Sequence, residues 1–198
     1  MNDILEKVKK VLTENNEVLL KQIEDVLVQN EKPDFTNMKS GDKFFYYNIE
    51  WIYLGIEQGG ALCVTAECYK EIPFDKEKRN NWKISSLKEE LNGDFLNRLN
   101  KKDLLPFEMD LVADNGDDAY GTSTQHIGIL SCDQYRKYRK VIPVFDEWMW
   151  TCTPWYCGPF PSYASYIRLV STGGKFSNNS VTNPSGVAPA CVFSIKQN

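Results

Sequence analysis

Apolar residues in the first thirty positions recur at helical spacing. Ile4, Leu5, Val8, Val11, Leu12, Val18, Leu19, Ile23, Val26 and Leu27 mark one stripe of an amphipathic helix. Asp3 and Glu6 stand at capping-box spacing ahead of it. Leu5, Leu12, Leu19 and Val26 lie seven apart, which permits a short coiled-coil seam and a homo-oligomer, while Asn15, Asn16 and Gln22 interrupt the stripe. Two outcomes stay open: self-association through this helix, or packing on its own domain. Pro33 cannot continue a helix, so residues 1–32 are set apart as a helical segment and 33–198 as one domain.

Beyond Gly41-Asp42 the period changes. Phe44 to Ile56 is rich in aromatic and β-branched residues, and Gly59-Gly60 separates it from Ala61–Thr65, which predicts two strands joined by a tight turn. Ser85-Ser86 opens a helix that runs to Leu91, Asn92-Gly93 ends or kinks it, and a second helical piece follows over Phe95–Leu99. Asp114–Asp118 and Gly121–Thr124 read as a solvated loop ahead of a short strand at Ile127–Leu130. Tyr163 to Val170 alternates, with Ala164, Tyr166 and Arg168 on one face and Ser165, Ile167 and Leu169 on the other. Gly173-Gly174 turns, Phe176–Val181 returns, Asn183–Gly186 turns again, and Val187–Ile195 is a last strand, at an edge or bulged where Pro189 removes a donor. Helices first and an antiparallel sheet last predict an α+β fold.

The length of 198 residues suits one well-buried core. A composition 42% hydrophobic and 25% charged is that of a globular chain. The net charge of −4 offers no positive field for nucleic acid or anionic lipid. No apolar run is long enough to span a membrane, and the opening residues lack a secretion signal's pattern. The expected location is therefore the cytoplasm or a virion. From residue 148 onward the only charges are Arg168, Lys175 and Lys196. That quarter is rich in Trp, Tyr, Phe, Ser, Asn, Gly and Pro, the mix that binding loops use.

Candidate chemistry is sparse. His126 is the single histidine and has no diagnostic spacing to a Ser or Cys, so no catalytic residue is assigned. Cys152 and Cys157 lie close together without a second Cys or His pair, and the acidic loop lacks the ligand pattern of an EF-hand, so no metal or cofactor is expected. The six cysteines read as reduced and buried. Trp148 and Trp150 read as core. Over residues 155 to 163, Pro154, Gly158, Pro159 and Pro161 exclude regular structure, which turns Trp155, Tyr156, Phe160 and Tyr163 toward the surface, with Tyr166 beside them.

The order of motifs Trp148–Pro154, Tyr163–Val170, Gly173-Gly174 and Gly186–Phe193, with Trp51–Thr65 and Trp82–Asn92 upstream, resembles two related groups. One is a family of bacterial and phage domains carrying W-W-L-R-S-P and ending in G-V-R-P-A-L; the other is the variable proteins of diversity-generating retroelements, including phage tropism determinants. The resemblance covers about residues 41 to 195. Thr151-Cys152-Thr153-Pro154 departs from L-R-S-P, and Ala188 stands where the family has Arg. The resemblance implies a C-type lectin-like fold, a twisted antiparallel sheet with two helices. It also implies a non-enzymatic, phage or prophage receptor-binding role toward a host-surface protein or glycan. The implied ligand-binding residues are Trp155, Tyr156, Phe160, Tyr163, Tyr166, Arg168, Lys175, Asn178 and Asn179. An oxidase like the formylglycine-generating enzymes, which share that fold and use cysteines, and a structural particle component are the alternatives.

Overall fold

The computed structural model describes residues 10, 11, 13, 14, 16–19, 21, 31–157 and 164–195. The described residues before 22 are helical and exposed, with Val11, Val18 and Leu19 each more than half exposed. Leu5, Leu12 and Val26 of the heptad stripe lie outside the described residues.

Strands β1 (Lys43–Tyr46) and β2 (Ile49–Glu57) are joined by Tyr47-Asn48, at φ 51° and 56°; β2 and β3 (Gly60–Thr65) are joined by Gln58-Gly59, at φ 53° and 79°. Two successive left-handed residues suit a two-residue hairpin, because their twist matches that of the strands. The single strand expected over Phe44–Ile56 is thus two: Tyr47-Asn48 turns without the glycine that usually marks such a site.

After β4 (Lys70–Pro73) and a 3-10 turn at Trp82–Ile84, Ser85 caps helix α1 (Ser86–Glu90) by accepting a 3.2 Å hydrogen bond from the Lys88 backbone. The helix widens into a π turn over Leu91–Phe95, at the expected Asn92-Gly93 kink, and tightens to 3-10 over Leu96–Arg98. Strands β5 (Leu104–Leu105), β6 (Phe107–Asp110), β7 (Thr122–Gln125) and β8 (Ile127–Gly128) follow. Helix α2 (Cys132–Tyr138) carries a complete capping box between Ser131 and Gln134. Gly121–Thr124, expected as loop, is largely β7: its polar alternation buries Ser123 and Gln125 and leaves the threonines out.

The remaining strands are β9 (Met149–Pro154), β10 (Tyr166–Val170), β11 (Phe176–Ser180), β12 (Pro184–Val187) and β13 (Ala190–Phe193). They form, with the earlier ones, a sheet in the order β1-β2-β3-β13-β5 with β8 also on β13, a second sheet in the order β11-β10-β9-β12-β4, and the hairpin β6-β7. Two expectations are corrected here. Pro184–Gly186 is strand rather than turn, and Val187–Ile195 is not one strand. The chain leaves the second sheet at Val187 and enters the first at Ala190, because Pro189 has no N–H to continue a ladder; its carbonyl still accepts from Thr65. The pairing of β12 with β9 is parallel, so the second sheet is mixed rather than purely antiparallel.

The core lies between the sheets and the α1 region. Phe193 packs edge-on to Trp51, Tyr46 and Phe44, and Trp51 meets Phe95. Trp82 is fully buried and donates to Gln125 Oε1 at 3.1 Å. Trp150 is core as expected, donating from Nε1 to Ile72 O; Trp148 is 45% exposed, contrary to its assignment.

Candidate functional site

The β9–β10–β11 part of the second sheet has two unlike faces. Ile167 and Leu169 of β10 are fully buried and pair with Pro154 and Trp150 of β9. The alternate residues Tyr166 and Arg168 point the other way, toward the side that also carries Thr151, Thr153 and Trp155, and Arg168 pairs with Asn178 of β11. Helix α2 covers one end of this outer face: the Tyr135 ring meets the Phe176 ring at 5.6 Å, and Arg136 lies 4.6 Å over Phe176. The other end is open, and there Trp155 is 36% and Tyr166 38% exposed.

Arg168 reaches, through its ion-pair partner Asp114, the edge of a cavity of about 550 Å3. Its guanidinium sits 5.3 Å over the Trp155 ring, and its Nε lies 3.4 Å from Asp114 Oδ1. That Nε is buried without a hydrogen bond, so the contact with Asp114 is ionic. Asp114, Asp110, Glu108, Asp133, Arg136 and Thr153 line the cavity. Asp133 is paired with Arg136, and Asp110 accepts from the Val112 backbone. The loop bearing Asp114 is fixed to the sheet by its backbone N–H, which donates to Pro154 O at 2.9 Å. Among the described residues, no three His, Cys, Asp or Glu side chains converge to hold a metal ion.

The expected site residues are thus only partly brought together. Trp155, Tyr166 and Arg168 lie at the open end, Asn178 pairs with Arg168, and the half-buried Tyr156 is tied close by through its backbone carbonyl. Asn179 pairs with Ile167, on the opposite face from Asn178, and its carbonyl oxygen is taken by the Ser180 N–H and Asn183 Nδ2. Adjacent strand residues cannot share a face. Lys175 is exposed at the far end of the hairpin, roughly 15 Å from Tyr166 by strand rise. It follows Gly174, at φ 71°, whose missing Cβ leaves room for the Arg139 guanidinium. Phe160 and Tyr163 lie outside the described residues. Of the cavity's acidic residues, Asp114 belongs to the loop read as a solvated turn, and Glu108, Asp110 and Asp133 were not singled out; the signal available was Arg168, a charge in a nearly uncharged stretch, which needs a carboxylate partner from elsewhere.

The thiols near the site are protonated ones. Burial pushes Cys152 up strongly and Cys157 up to about 11, and Cys157 contacts Leu111 O. A nucleophilic cysteine needs the opposite shift. The Nδ1 of His126 is buried without a hydrogen-bond partner, and its backbone N–H donates to Asn92 Oδ1.

The fold defines a mixed α+β protein built chiefly of strands, and no described helix is long and apolar enough to cross a membrane. No family model matches this chain, and neither a curated protein nor a solved structure matches it.

Proposed function

We propose that this chain is a non-enzymatic ligand-binding display protein with a C-type lectin-like fold. In this reading it acts as a variable protein of a diversity-generating retroelement or as a phage or prophage receptor-binding protein. The open end of the outer β9–β10–β11 face meets a host-surface protein or glycan through Trp155, Tyr156, Tyr166, Arg168 and Asn178. One observation carries this reading. On a single strand, Ile167 and Leu169 are wholly buried while Tyr166 stands 38% exposed, so the ring-bearing face is held rigidly without being part of the core. Exposed rings on a fixed sheet offer contact area at small entropic cost. Supporting it, the thiols that an oxidase would use are buried and held neutral. The exposed Val11, Val18 and Leu19 suit a homo-oligomer through the N-terminal helix.

The test is binding of the full chain to bacterial envelope fractions and to a glycan array, repeated with the Trp155→Ala/Tyr166→Ala double variant. Loss of binding in the variant supports the reading; equal binding by both chains refutes it. In the gene's surroundings, a near-copy of the codons for residues 150–190 that differs at adenines, beside a reverse transcriptase gene, is the expected sign of diversification.

A further inference from the structure

A buried amide closes the neck of the loop that carries the exposed rings. β9 and β10 separate after Pro154 and before Tyr166, and the outermost backbone bond between them runs from Trp155 N–H to Tyr166 O at 3.2 Å. Beyond that bond stands Asn80, 1% exposed, supplied by the segment between β4 and the Trp82 turn. Its Nδ2 donates to Tyr166 O at 2.8 Å and to Tyr156 O at 3.0 Å, and its backbone N–H donates to Ala164 O at 2.9 Å. Its Oδ1 accepts from the Tyr120 hydroxyl at 2.8 Å.

A primary amide has two N–H donors and one carbonyl acceptor. Here each is used, and each ties down a different strand end or loop. A carboxylate in the same place would turn only acceptors toward two carbonyl oxygens. The segment is itself anchored: Asp75 accepts from the backbone of Glu77, Arg79 and Ser86 and from the Arg79 guanidinium, and its own N–H donates to Val181 O.

We propose that Asn80 is the positioning residue of the binding face: it touches no ligand, and it fixes where the Tyr156 and Tyr166 rings stand by holding both of their backbone carbonyls. Trp155 is fixed in turn through its N–H on Tyr166 O. The word "binding" rests on the function proposed above; the positioning itself does not.

The experiment is NMR on the 15N-labelled full chain. In the wild type, the Asn80 Nδ2 protons exchange with solvent roughly tenfold or more slowly than those of the exposed Asn115; rapid exchange overturns the proposal. In Asn80→Asp at neutral pH, the backbone signals of Trp155, Tyr156, Tyr166 and Ile167 move while those of Ala190–Phe193 in β13 stay. On acidification they return part of the way, since a protonated carboxyl regains one donor. Arg79 adjoins Asn80 in the chain and Tyr120 holds its Oδ1, with Cys157 and Asp117 acting on Tyr120 in turn; all are present in the wild type, which therefore serves as the baseline for this titration. A role in packing alone gives no pH-dependent return, and that result overturns the proposal.

Should Asn80→Asp fail to fold, the wild-type exchange rate and Tyr120→Phe decide. Removing the hydroxyl that holds Oδ1 speeds Nδ2 exchange, and an unchanged rate overturns the proposal. For a binding readout, a synthetic single-domain binder is selected on the wild type and kept if Trp155→Ala abolishes its binding. Asn80→Asp weakens that binder roughly tenfold or more, about 1.4 kcal/mol; unchanged affinity counts against the proposal. If these results hold while envelope and glycan binding are never found, the positioning role stands and the proposed function falls.

Discussion

The two larger sheets handle their surfaces in opposite ways. In the first, β3 and β13 are buried along their whole length, and Phe193 alone meets the rings of Phe35, Phe44, Tyr46 and Trp51. In the second, β10 buries Ile167 and Leu169 yet turns Tyr166 and Arg168 outward, and β11 has no fully buried residue. The first sheet is buried at its centre, and the second leaves one face of β10 and β11 partly open to solvent. A side chain's worth to stability follows from the face it occupies, not from its size, since Trp155 is larger than Phe193 yet 36% exposed.

The sharpest way to break this contrast is Phe193→Ala. Removing a fully buried ring with four aromatic neighbours costs about 3–5 kcal/mol, read as a fall in the urea midpoint. A loss below about 1 kcal/mol would show that the first sheet is not the foundation.

An intermediate effect is expected at Asp75, which lies under the second sheet's neck. Burial pushes its pKa up, and the hydrogen bonds from Arg79 and Ser86 outweigh that, holding it below the ordinary aspartate value of 3.8. A carboxylate with a lowered folded pKa contributes stability in full above its unfolded value, and that contribution is lost as pH falls from there through the folded value. Asp75→Asn should cost about 1–2 kcal/mol at neutral pH, a figure reduced because the Arg79 partner is 41% exposed. It should also flatten the decline of the melting temperature below pH 4; an unchanged acid limb in the variant would remove Asp75 from the account.

The smallest effect belongs to Trp155→Ala and Tyr166→Ala. Each should lower stability by less than about 1 kcal/mol, including the stacking of Arg168 on Trp155. A melting temperature that falls as far as in Phe193→Ala would mean that these rings are structural and that the two sheets are alike.

Much of this division is legible in the chain itself. The alternation of residues 164–169 gives the two faces of β10, Ser85 gives the cap of α1, and the scarcity of charge after residue 148 sets apart the stretch that holds the exposed rings. What is not legible has local causes. Tyr47-Asn48 makes a left-handed turn without glycine, and β12 and β13 are split by a change of sheet that only long-range pairing reveals. Asn178 and Asn179 look equivalent as a pair, and strand geometry alone parts them. Asn80 belongs to an Arg-Asn-Asn-Trp stretch with no periodic signal, because its partners are carbonyls of residues far along the chain.

The passage of the chain through Pro189 from one sheet to the other has a bearing on assembly. β3 finds its second neighbour only when Ala190–Phe193 arrives to pair with Ala61–Val64. A growing polypeptide that has made the β1–β2–β3 meander must hold its greasy flank unmated until almost all of this sequence has been synthesised. Contacts so distant in sequence are slow to close. The late arrival of one short strand thus sets the moment at which the whole body becomes solid.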